Sequence, residues 1–123
     1  MKAKLSEEFY RKNQDRFFEK YQKDCDFEYH LKIRLMRRDF SIIPEEIREQ
    51  AKAIITKTFA KEVYDASREE LVKKMQMIKE VEAGKAGLGY TNTAQKYQAM
   101  HDLREGFEFS CLMLADFKKK YEL

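Results

Sequence analysis

The sequence predicts an all-α fold, a bundle of four to five amphipathic helices forming one domain over residues 1–123, and three observations carry that prediction. Only one proline and four glycines occur, and every glycine lies after residue 83, so the first two thirds of the chain holds little that would interrupt a helix. Apolar residues make up 43% of the chain, enough at 123 residues to bury a core without disulfides or a structural metal. In three long segments those residues return at the 3-4 spacing of a helix face.

The first helix is expected to begin at Ser6, whose hydroxyl can cap free amides, with Glu7 and Glu8 in the first turn where the helix dipole favours negative charge. Tyr10, Phe17, Phe18, Tyr21 and Cys25 then share one aromatic face through to residue 25. Glu7 with Arg11, Glu8 with Lys12 and Glu19 with Lys23 are Glu-to-basic pairs one turn apart on the solvated side.

Between this helix and Pro44 the period changes. Phe27, Tyr29, Leu31, Ile33 and Leu35 alternate with Glu28, His30, Lys32 and Arg34, the repeat of a half-buried strand. No second segment alternates in this way, and a lone strand leaves its backbone groups unpaired. Two readings of residues 27–36 therefore stand: a helix that is apolar on several sides because it is central or faces a partner, and a single strand.

Pro44 suits the first position of a helix and is followed by Glu45 and Glu46. Ile47, Ala51, Ile55, Phe59 and Val63 recur every four residues, with Ile54 alongside. A break is expected at Asp65 to Ser67, because Ser67-x-x-Glu70 spells a capping box. Leu71, Met75 and Ile78, flanked by Val72 and Val81, form the next stripe. Gly84–Thr93 (GKAGLGYTNT) reads as a loop that reverses the chain, since three glycines in six residues disfavour a helix. Asn92 or Thr93 can cap the last helix, whose stripe runs through Tyr97, Met100, Leu103, Phe107, Cys111, Leu114 and Tyr121, with Gly106 as a point where it can kink.

Bulk charge and chemistry narrow the function classes. The net charge of +3, from 25 basic and 22 acidic residues, is an interspersed surface that neither requires nor excludes an anionic partner. Met1–Tyr10 holds no apolar stretch of a secretory signal, and no run approaches the roughly 20 apolar residues that span a bilayer. The expectation is a soluble intracellular protein in a reducing compartment, with Cys25 and Cys111 as free thiols.

No cofactor and no small-molecule substrate are evident. Carboxylate-bridged metal centres in helical bundles use Glu-x-x-His, but Phe27 and Gln98 stand three residues before His30 and His101. Zinc spacings are also missing. Cys25 lies between Asp24 and Asp26, which oppose a thiolate, and Cys111 lies on an apolar stripe where it counts as a small hydrophobe. Gly84, Gly87 and Gly89 with Lys85 lack the strand and the GK(S/T) ending of a phosphate loop. The carboxylates sit at helix starts or opposite Lys and Arg, where structure accounts for them. The chain reads as a non-catalytic protein.

What remains is a surplus of large side chains, nine Phe, seven Tyr and six Met, which an ordinary core accounts for or an interface uses. Residues 29–82, with YHLKIRLMRR followed by IREQAKAIITKTF and SREELVKKM, resemble in order the helical mitochondrial assembly and accessory proteins named for a Leu-Tyr-Arg tripeptide. The tripeptide is missing and the likeness covers less than half the chain, so no family is assigned from it.

The sequence-level expectation is a protein-interaction module or small accessory subunit that binds another protein, or a second copy of itself, through Phe27–Arg38. Tyr29, Leu31, Ile33, Leu35, Arg37 and Arg38 are the contact residues it nominates. The alternative is nucleic-acid binding, in which Lys32, Arg34, Arg37 and Arg38 meet phosphates beside Tyr29, His30 and Phe40.

Overall fold

Five α-helices and one short 3-10 turn make up the computed structural model of the chain, which describes residues 2–84, 87 and 92–123. They are α1 (Lys2–Lys12), α2 (Gln14–Cys25), α3 (Phe27–Met36), the 3-10 turn Phe40–Ile42, α4 (Glu45–Glu82) and α5 (Thr93–Lys120). The all-α expectation holds, and residues 27–36 are helical. Among the described residues no helix is long and apolar enough to cross a membrane.

The expected first helix is divided in two. Asn13 leaves helical geometry at φ −117°, ψ 26°, with its side-chain amide donating to the Phe9 carbonyl at 2.9 Å. The resulting bend stacks aromatic rings across the joint, with Tyr10 and Phe17 in edge-to-face contact at 4.9 Å. The helical stretch begins at Lys2 rather than at Ser6, whose side chain lies outside the described residues.

The break expected at Asp65–Ser67 does not occur. α4 runs unbroken for 38 residues, because no residue there lacks an amide hydrogen or demands positive φ, and the i to i−4 ladder satisfies the amides that a capping box would have served. Pro44 does open α4, and Gly84, at φ +75°, ends it in a left-handed conformation that other residues adopt at a penalty. Most of the predicted 84–93 loop, including Lys85 and Gly89, lies outside the described residues. Asn92 caps α5, its Oδ1 accepting from the amides of Ala94 at 2.8 Å and Gln95 at 3.2 Å. α5 closes with Glu122 at φ 55° and the Leu123 amide donating back to the Lys118 carbonyl at 3.0 Å, the paired bonds of a Schellman ending.

The core forms around α5. Phe109, Met113, Leu114 and Phe117 meet Tyr10 of α1, Phe17 and Cys25 of α2, Phe27 and Leu31 of α3, and Ala60 and Val63 of α4 in one buried cluster. α2 and α4 both pack against α5, and α3 packs mainly on α4. α5 is unbroken at Gly106, where the sequence admitted a kink. Instead the glycine lets the Tyr21 ring approach so closely that a Cβ would stand 2.9 Å from Tyr21 Cδ1.

Polar contacts fasten the same joints from outside. Arg11 makes a two-pronged contact with Asp116, at 2.9 and 2.8 Å, besides its expected pair with Glu7. Tyr10 donates to Glu108 at 2.7 Å, and Lys120 and Tyr121 both donate to Glu28.

Candidate interaction surfaces

The segment nominated from sequence is α3, and its helical form sorts the nominated residues into two groups. Asp26 caps it by accepting from the Tyr29 amide at 3.1 Å. Every second member of an alternating series recurs at four residues, so Phe27, Leu31 and Leu35 fall on one helical face as readily as on one face of a strand. That face enters the core: Leu31 is 2% exposed, and Leu35 packs against the buried cluster. Leu31 is therefore a packing residue, while Leu35 packs on the core with one side and, with Leu31 at its floor, lines an open groove beside Met36 with the other. Ile33 is half-buried, while Tyr29, at 55% exposure, and Arg37 face solvent.

Of the four basic residues of the nucleic-acid reading, two have partners within the chain. Arg34 donates to the His30 carbonyl at 3.3 Å and lies 3.9 Å from a Glu62 carboxylate oxygen. Arg38 rests its guanidinium 5.3 Å from the centre of the Phe59 ring. Lys32 borders a shallow groove lined also by Glu28, Leu31, Leu35, Met36 and Tyr121, and Arg37 is exposed.

A polar knot joins α2 to the first half of α5. Among the described residues, His101, Asp102 and Glu105 bring one nitrogen and two carboxylate oxygens within 4.8 Å of one another. A cation already holds them: Lys20 Nζ lies 3.2 Å from Asp102 and 3.4 Å from Glu105. Tyr21 donates to Glu105 at 2.6 Å, and burial with this bond pushes the Tyr21 hydroxyl up to about 12. The arrangement is that of a structural clamp, in which Lys20 holds Asp102 and Glu105 while His101 meets Glu105 at 3.2 Å.

The two cysteines also separate. Cys25 is buried, donates its thiol to the Tyr21 carbonyl at 3.2 Å, and is pushed up to about 12 by burial and by Asp26 and Asp24. Cys111 is raised as well, by partial burial and then by Glu108; it lies on the apolar stripe where the sequence puts it, on a part of that stripe that is exposed.

Cys111 lies in an open groove of about 420 Å³ between α4 and α5. Tyr64, Arg68, Leu71, Val72 and Met75 line it from α4, and Phe107, Cys111, Leu114, Ala115 and Lys118 line it from α5. Each set follows the same spacing, a first residue then the fourth, seventh, eighth and eleventh beyond it, which is one continuous helix face. Among the described residues, none from α1, α2 or α3 lines it. Val72 is 52% exposed and Met75 37%.

No family model matches the chain, and neither does any curated protein or solved structure. The groove thus stands on its own geometry. Sequence reasoning passed over it although both stripes were visible, because each was assigned wholly to the core. The apolar arc on α5 is wider than its buried side needs, with Phe109, Met113 and Phe117 facing inward and Phe107, Cys111 and Ala115 left over. Arc width was the available signal.

Proposed function

We propose that this chain is a non-catalytic interaction module, an accessory subunit whose partner protein lies along the α4/α5 groove. The observation that carries the reading is the pair of matched apolar stripes, 64–75 and 107–118, which the remaining described elements leave uncovered. Apolar surface shared between two long helices is a recurrent seat for a third helix, and the fold already spends its α1, α2 and α3 elsewhere. The α3 segment contributes exposed Tyr29, Met36 and Arg37 and, through Leu31 and Leu35, the lining of a smaller open groove; with both leucines also packed on the core it is the secondary surface. The nucleic-acid reading is less supported still, since Arg34 and Arg38 are engaged with Glu62 and Phe59.

Placing a photo-cross-linking amino acid at Met75 and, as a control, at exposed Glu49 tests this in extract of the cells that make the protein. Discrete protein adducts are expected from position 75, absent from position 49, and lost when Val72→Glu is added. Equal labelling from both positions, or none from 75, overturns the docking surface.

A further inference from the structure

Resting on that reading, we infer that the groove takes an acidic amphipathic helix, seated with its carboxylates at the end formed by Arg68 and Lys118. The groove has a direction. α4 and α5 run antiparallel, and Lys118 Nζ lies 5.6 Å from the Tyr64 ring centre, so the start of the α4 stripe meets the end of the α5 stripe. Arg68 and Lys118 therefore share one end, and Met75 and Phe107 the other. Among the described residues, neither cation has a carboxylate within 4 Å, and the groove lining contains no acid at all. Next along the two helices, exposed Lys61 and Lys119 are matched by exposed Asp65 and Glu122, so the charge of the mouth rests on Arg68 and Lys118.

The length fits a helix. The twelve residues from Tyr64 to Met75, eleven rises of about 1.5 Å, make a furrow of roughly 16 Å, three turns of a partner. A partner helix with apolar residues at 3-4 spacing would cover Val72, Met75, Phe107 and Cys111, while Asp or Glu in the turn seated at the mouth would neutralise it. A second copy seated groove to groove brings no acid from its own groove lining. Its own groove carries the same two cations, and the acids near its far end are engaged, Glu82 with Arg104 and Glu108 with Tyr10.

A displayed library of helical peptides tests the class, with apolar positions fixed at 3-4 spacing and all other positions encoding Asp, Glu, Lys, Arg, Ser and Gln equally. Selection against the full chain is expected to enrich Asp and Glu several-fold over Lys and Arg. The selected peptides are expected to slow alkylation of Cys111 about tenfold at saturation and to lose about tenfold in affinity for R68E/K118E, as charge complementarity requires. Circular dichroism checks the folding of that variant, and R68Q/K118Q, which abolishes the bias without reversing it, replaces it if it unfolds.

Survivors without acidic bias, a basic bias, or no survivors overturn the acidic helix. Concentration-dependent protection of Cys111 with no peptide present overturns it in favour of a second copy. These failures are distinct from failure of the docking surface, which the Met75 cross-link reads independently.

Discussion

The two sides of α5 make opposite use of similar residues. On one, Phe109 is fully buried, Gly106 admits the Tyr21 ring at closer than a methyl's distance, and Phe17 and Phe117 fill the space around them. On the other, Phe107, Cys111 and Ala115 line a furrow that no described residue outside α4 and α5 helps to line. One helix thus carries a finished interface and an unfinished one. The lesson is that an apolar stripe in sequence states how much surface wants covering, and says nothing of which element covers it.

Truncations on the two sides should separate widely. Phe109→Ala, on the closed side, is expected to lose about 3–5 kcal/mol of stability, the range for a buried aromatic whose site cannot collapse. Val72→Ala, across the furrow, should stay within about 0.5 kcal/mol. Urea denaturation of both variants measures the contrast; similar losses would mean that the furrow is filled in the free protein.

Alkaline pH should weigh most on the closed side, where Cys25, Tyr21 and Tyr10 are raised, although Cys111 in the furrow is raised too. Cys25 ordinarily titrates near 9.0 and is raised to about 12 in the fold, so its neutral form is favoured. Stability from this group is complete below pH 9 and falls as pH rises toward 12, by on the order of 2 kcal/mol near about pH 11. Tyr21 and Tyr10, both raised from 10.0 by burial and a carboxylate partner, steepen the fall above pH 10. A Cys25→Ala variant should show a shallower decline between pH 9 and 11 than the parent; an identical profile would place the titrating groups elsewhere.

Smaller effects refine the same picture. Gly106→Ala gains up to about 1 kcal/mol of helix propensity but drives a methyl into the Tyr21 ring, which is itself tied to Glu105, for a net loss of about 1 kcal/mol. A double-mutant cycle with Tyr21→Ala should recover most of that loss, and additive effects would remove the contact from the account. Ser110 is fully buried with no partner for its hydroxyl among the described residues, so Ser110→Ala should stabilise by about 0.5–1 kcal/mol in thermal unfolding.

Much of this architecture is legible in the sequence where local chemistry decides alone. Pro44 opens α4 and Asn92 caps α5 because each acts within its own turn. The joint at Asn13 carries no such mark, since its bend answers to the packing of Tyr10 and Phe17 against α5. Ser67-x-x-Glu70 misled in the other direction: a capping box serves amides that a continuing helix already satisfies. Phe27 to Leu35 stayed ambiguous because the recurrence at four belongs to both periods, and only the docking of α3 on α4 settles it. At the candidate surfaces, Tyr29 and Arg37 are exposed as their types suggested, whereas the groove depends on two stripes far apart in the chain, and nothing local brings residue 64 beside residue 118.

The central place of α5 has a consequence for synthesis. α5 is translated after the four helices that it ties together, so Phe17, Phe27 and Val63 lack their buried neighbours until it has left the ribosome. α1 and α2, the first to emerge, wait longest with aromatic rings bare. Such intermediates are the kind that chaperones hold, and a chain stalled near residue 92 would be a target for degradation rather than a smaller working protein.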